Sequence, residues 1–146
     1  MKDKFVLRVA AESNYLKLIR QFFARIIEND FSKDEIYYME ICLNEVCENI
    51  VNHGYNGDSG RIEMRVRNEK TYIMIEILDR AKPFNLLKYK PVEKEKLVEQ
   101  GIKGKLGIRK VKTICDKVRY QRLKGKNKIV LIKYKKNLKA AALKKR

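Results

Sequence analysis

The chain has 146 residues, 45% of them hydrophobic, and a formal net charge of +17. A domain of about 150 residues buries roughly 70% of the surface its unfolded chain exposes, so one core without covalent staples is expected. Three cysteines, Cys42, Cys47 and Cys115, argue against a disulfide framework or a zinc site, since no close pair has metal spacing.

Residues 4–10 alternate, with Phe5, Leu7 and Val9 on one side, and predict a strand. Ser13 is placed to cap a helix to about Glu28, with Leu16, Ile19, Phe23, Ile26 and Ile27 as its apolar stripe. Ser32 followed by Glu35 has the form of a capping box and predicts a second helix to about Asn52. Its core stripe is Ile36, Met39, Leu43, Val46, Cys47 and Ile50, so Cys42 and Cys47 read as buried structural thiols. A turn-rich loop through Gly54, Gly57 and Gly60 leads to two strands. Ile62, Met64 and Val66 alternate with charges, whereas residues 72–78 are apolar except for Glu76 and predict a central strand. The turn at Asn68, Glu69 and Lys70 makes these two a hairpin.

Residues 80–104 break the pattern, with both prolines, many lysines and a short helical candidate at residues 93–99. A long irregular stretch in a small domain often serves as a lid. Gly104 and Gly107 lead into a third helix, and a last hairpin turns around Gly125, its second strand starting at Lys128. The expected class is α/β: a two-layer α/β sandwich with helices on one face of a mixed sheet. The expected division is one domain over residues 1–136 and a basic tail over 137–146. No signal peptide begins at residues 1–5 and no apolar run approaches the ~20 residues of a membrane span, so a cytoplasmic protein is expected.

The charge is uneven. Residues 117–146 hold 13 Lys and Arg and no acid, while residues 1–116 hold 22 basic and 18 acidic residues, a balance of +4. Such asymmetry attracts an anionic partner, and it equally describes a solvated lysine-rich surface.

Three groups of residues carry chemistry. Glu45, Asn49 and His53 recur every four positions, each about 40° from the last around the helix. They are expected to form a polar rail pointing away from the core. The Asn49 amide oxygen suits Mg²⁺, and the Glu45 carboxylate suits orienting or deprotonating a hydroxyl. Taken alone, the rail reads more simply as an exposed polar face. Asp79 ends the most apolar strand, where a carboxylate can accept from an adenine amino group; the plain alternative is an Asp in a turn. Gly104 and Gly107, with Lys103 and Lys105 beside them, let backbone N–H groups approach phosphate at a helix start, and two glycines also suit an ordinary loop.

In order and spacing, Glu45-x-x-x-Asn49-x-x-x-His53-Gly54-Tyr55, Asp79-x-Ala81-x-Pro83-Phe84 and Gly104-x-x-Gly107 resemble the N, G1 and G2 boxes of the Bergerat-fold ATPases. That superfamily includes gyrase and the sensor histidine kinases. The short chain and the His-Gly-Tyr ending are most similar to the anti-sigma factor serine kinases of bacteria. The resemblance runs over roughly residues 4–135. It implies ATP and Mg²⁺ as cofactors and Glu45 as general base toward a substrate serine. Asn49 would be the metal ligand and Asp79 the adenine reader, with Ala81 beside it. Gly104, Lys105 and Gly107 would cradle phosphates. It also implies a homodimer that sequesters a sigma factor and phosphorylates an anti-sigma antagonist. His53 is assigned no chemistry beyond shaping the helix end.

Two positions depart from the family. Ala81 stands where glycine is usual, and its methyl is expected to crowd the adenine or to need an adjusted backbone. Asn127-Lys128 stands where Gly-Thr is frequent. Both favour a second reading, a nucleotide-binding switch or protein-binding module that transfers no phosphate. A third reading, a nucleic-acid binder, has the basic C-terminal segment but no recognisable readout motif and ranks last.

Overall fold

The computed structural model describes residues 3–88 and 103–135. The short helix expected at residues 93–99 and the tail at 137–146 lie outside them. The strands are β1 (Asp3–Ala10), β2 (Arg61–Asn68), β3 (Tyr72–Asp79), β4 (Lys117–Leu123) and β5 (Lys126–Tyr134). The helices are α1 (Leu16–Ile27), α2 (Lys33–Asn49) and α3 (Lys103–Ile114).

The sheet has the order β1-β2-β3-β5-β4, and every neighbouring pair is antiparallel. The expected mixed sheet is therefore corrected to an antiparallel one. An even number of helices separates β1 from β2, so the chain returns to the end it left and Ala10 pairs with Arg61. β4 does run parallel to β3, but β5 lies between them, so no parallel ladder forms.

Local signals hold well in the first half. Ser32 caps α2 reciprocally: its hydroxyl accepts from Glu35 N at 3.2 Å, and its own N–H donates to the Glu35 carboxylate at 3.3 Å. Ser13 does not cap α1. It lies in a 3-10 turn (Ser13–Tyr15) that occupies the approach to the helix, and Tyr15 takes the cap position without a side-chain bond. Lys124 (φ 24°) and Gly125 (φ 78°) turn the β4–β5 hairpin.

One face of the sheet is covered. Ile19, Phe23 and Ile27 of α1 and Met39, Leu43 and Val46 of α2 are buried with Ile62, Met64, Val66, Ile73, Ile75, Ile77, Ile129 and Leu131 of the strands. Each such side chain contributes about 1.5–3 kcal/mol on leaving water. The alternate strand positions, such as Arg65, stay partly or fully exposed except Leu78 near the end of β3, which is buried. Among the described residues no helix is long and apolar enough to cross a membrane.

Candidate functional site

The site lies where the C-terminal end of α2 meets the end of β3 and the start of β5. After Asn49 the helix widens into a π turn (Ile50–Tyr55), which ends at Asn56 in the left-handed region. Such wide turns are rare and recur at functional sites. The expected helix to Asn52 thus ends as α-helix at Asn49.

Asn49 is buried, only 6% exposed, and does not point away from the core as the rail predicted. The physical reason is a second covering layer. α3 packs on α2, with Cys115 just beyond its end against Cys42, so Cys42 is buried beside the core stripe, and Asn49, two turns further along α2, is buried as well. The Asn49 Nδ2 group donates to the Glu45 carbonyl at 2.7 Å. That bond leaves Oδ1 as the amide atom available to a cation.

Glu45 is partly buried on a groove of about 530 Å³ shared with Arg20, Asn44, Glu48 and Lys110. Burial, and next the charge of Glu48, push its carboxyl above the usual carboxylate range, while Lys110 opposes them. A carboxylate tuned upward suits a proton acceptor working near neutrality.

Asp79 is 4% exposed at the end of β3. Its Oδ1 accepts from Ala81 N at 2.9 Å and from Asn127 Nδ2 at 2.8 Å. Burial pushes the carboxyl up; the bonds from Asn127 and Ala81, with the Arg122 charge, hold it partly down. Oδ2 has no partner among the described residues. Asp79 is therefore not a simple turn aspartate: one oxygen anchors it, and the other is free of hydrogen bonds among the described residues.

Ala81 is also buried, and its methyl lies 3.1 Å from where a Cβ on Gly54 would stand. The missing side chain at Gly54 thus makes room for the methyl at Ala81, which packs into the core cluster. Lys128, the second half of the other departure, pairs with Glu76 at 2.7 Å.

Tyr55 is a strut. Its hydroxyl donates to Arg61 O at 2.7 Å and accepts from Arg80 N at 2.9 Å, tying the end of β3 to the start of β2. Gly60 permits this, because a Cβ there would stand 2.1 Å from the Tyr55 ring. His53 is exposed and stacks on Phe84, with ring centroids 5.9 Å apart.

Gly104, Lys105 and Gly107 fall within the first two turns of α3, which begins at Lys103, rather than ahead of the helix. The flanking lysines, leucine and isoleucine carry the helix through both glycines. Among the described residues no group of three or more His, Cys, Asp or Glu could hold a metal, so a cation here would rely on Asn49 with phosphate and water oxygens.

The sequence pattern marks Asn127 only as a departure and starts β5 one residue after it, at Lys128. The structure starts β5 at Lys126 and pairs Asn127 with Asp79. The signal was the tight Lys124-Gly125 turn, which sets the register of the hairpin.

Known proteins resemble the chain in sequence and in fold. The chain is 28% identical over 137 residues to a serine-protein kinase RsbW of Bacillus cereus, covering 90% of this chain and 85% of that one. RsbW of Bacillus mycoides matches to the same extent. Among solved structures, the RsbU and RsbW domains of a Mycobacterium tuberculosis protein superpose with a TM-score of 0.64 at 16% identity, over 90% of this chain and 32% of that one. The histidine kinase domain of the blue-light activated kinase from Erythrobacter litoralis gives 0.56 at 12% identity, over 88% and 63%. These two likenesses carry the fold. The sequence profile of the histidine kinase-like ATPase domain matches residues 9–133, from the end of β1 almost to the end of β5, and the chain belongs to that family.

Proposed function

We propose that the chain binds ATP with Mg²⁺ and acts as a serine protein kinase that also sequesters a sigma factor, its substrate being the sigma factor's protein antagonist. The observation that carries this reading is Asp79: a buried carboxylate anchored through one oxygen, with the other free to accept from an adenine amino group. The donor set fits the nucleotide. Asn49 offers an amide oxygen to the metal, and the resemblance gives Gly104, Lys105 and Gly107 to the phosphates. When bound, ATP with Mg²⁺ supplies the transferable phosphoryl group and the neutralising charge. Glu45, on its groove beside Arg20 and Lys110, orients the serine hydroxyl and accepts its proton.

The binding-only reading rests on the two departures, Ala81 and Asn127-Lys128. The Ala81 methyl is packed against Gly54, and Lys128 is paired with Glu76. A titration of the protein with ATP, with and without Mg²⁺, followed by transfer of labelled phosphate to the cognate antagonist, tests the proposal. Binding without transfer would establish the switch instead, and absence of binding would remove both.

Replacing Asn49 with Ala is expected to remove the Mg²⁺ contribution to ATP affinity. Because Asn49 is buried and bonded to Glu45 O, the same change should also cost about 0.5–1.5 kcal/mol of stability. Paired urea melts and titrations separate the two effects. A variant that keeps the full Mg²⁺ dependence would leave Asn49 a purely structural role.

The partners are expected to be the sigma factor and the antagonist, with the chain acting as a homodimer in the cytoplasm. Removing residues 139–146 should leave nucleotide affinity unchanged and weaken an acidic partner at low salt, since exposed charge acts at long range and is screened by ions. Partner affinity indifferent to truncation and to salt would show that the tail takes no part.

A further inference from the structure

Asn127 is 4% exposed, in a strand whose other inward residues, Ile129 and Leu131, are apolar. A buried amide is costly unless its donors and acceptors are all met. Here they are. Nδ2 reaches three oxygens: Asp79 Oδ1 at 2.8 Å, Lys82 O at 3.0 Å and Ala81 O at 3.2 Å. Oδ1 accepts from the Tyr120 hydroxyl at 2.5 Å and from Arg122 Nη1 at 3.2 Å.

We propose that Asn127 is a positioning residue for Asp79, holding its carboxylate so that Oδ2 alone faces the base and thereby setting a preference for purines that carry an exocyclic amino group. The role rests on the nucleotide reading above and names the residue that makes it selective. Asn127 and Ala81 N both bond to Oδ1, one from β5 and one from the turn after β3, so the carboxylate cannot rotate without losing both. The amide cannot flip either. A flipped Asn127 would set its own oxygen against Asp79 and two backbone carbonyls. Tyr120 and Arg122 would then face an NH₂ group instead of an acceptor. Arg122 adds a second tie, donating to Ala81 O at 2.9 Å. The result, among the described residues, is one free acceptor in a fixed direction. An acceptor suits an amino donor and rejects a ring carbonyl at the same place. A site built to bond a group discriminates against the analogue that lacks it.

The test measures binding of two probes to the full chain, ATP and purine riboside triphosphate, which lacks the exocyclic amine. Wild type should prefer ATP by about tenfold or more. Asn127→Ala should reduce that preference to near unity, through loss of ATP affinity with little change for the analogue. Asn127→Val, which fills more of the volume than alanine and suits a strand, also removes the donor to Asp79 and gives the same readout if the alanine variant fails to fold. Asn127→Thr, which supplies a hydroxyl donor in place of the amide, should restore part of the preference. Equal weakening of both probes would make Asn127 merely structural, and an undiminished preference for ATP in the variants would overturn the role outright. Absence of binding of either probe to wild type would overturn the nucleotide reading and this role together.

Discussion

Replacing Asp79 with Asn is expected to weaken ATP binding by about 10- to 100-fold while leaving the protein folded and at least as stable. A hydrogen bond to a charged acceptor is worth about 1.5–3 kcal/mol, and the variant turns that acceptor into an NH₂ group facing the adenine amine. The anchoring side survives. The amide oxygen of the variant still accepts from Ala81 N and Asn127 Nδ2. The stability half follows from burial, which raises the Asp79 carboxyl above its ordinary range. A folded-state pKa above the unfolded one means that the folded state holds the proton more tightly. The cost of the buried charge is then fully present above the folded pKa, and it is relieved as pH falls through that value toward the unfolded one. The asparagine variant has no such cost. Its melting temperature should match or exceed that of wild type at neutral pH, with the gap closing toward acid. Calorimetric titration with ATP and melting curves over pH check the two halves separately. Unchanged ATP affinity would take Asp79 out of the base-binding role. A large loss of stability would make it a structural residue.

Replacing Glu45 with Gln is expected to slow phosphorylation of the cognate serine protein by about 10²–10⁴-fold, the usual cost of losing a positioned general base. ATP and partner binding should persist, because Glu45 lies on a groove surface and is only partly buried. A base must be deprotonated to act, so the wild-type rate should climb with pH through the raised pKa of Glu45. Glu48 lies on the same groove and its charge raises the Glu45 carboxyl, whereas Lys110, reaching it from α3, lowers it. Glu48→Gln should therefore move the rising limb to lower pH with little loss of maximal rate, and Lys110→Ala should move it to higher pH. Single-turnover assays with γ-labelled ATP read both effects. Equal transfer by wild type and Glu45→Gln would leave the kinase without Glu45 as its base. A pH limb that ignores Glu48 and Lys110 would assign the titration to another group.

The thiols follow the same electrostatic logic. Burial pushes Cys47 up to about 12, and contact with Cys42 together with burial raises Cys115 as well. All three cysteines are buried, as the apolar pattern around Cys42 and Cys47 led one to expect. A thiol held this far from ionisation is a poor nucleophile.

What the sequence determined alone depends on near neighbours, the Ser13 cap excepted. The reciprocal cap of Ser32 and Glu35 involves residues three apart, the stripes of α1 and α2 repeat within one turn, and each hairpin is closed by a turn of a few residues. Glu45, Asn49, His53, Gly54 and Tyr55 could be grouped from the sequence, because they lie four or fewer positions apart on one helix and the turn that follows it. Tertiary structure decided the rest. Asn49 is buried, and α3, more than fifty residues later, packs on α2 with Cys115 against Cys42, a layer that no wheel drawn from α2 alone contains. The sheet is antiparallel because β5 lies between β3 and β4, a choice of strand order that the strands' own patterns leave open. Asp79 is anchored by Asn127, 48 positions away, and Ala81 fits because Gly54 lacks a side chain. In each case the deciding partner is distant in the chain. A residue's own type fixes which bonds it can make, and only the packed fold fixes which of them are met.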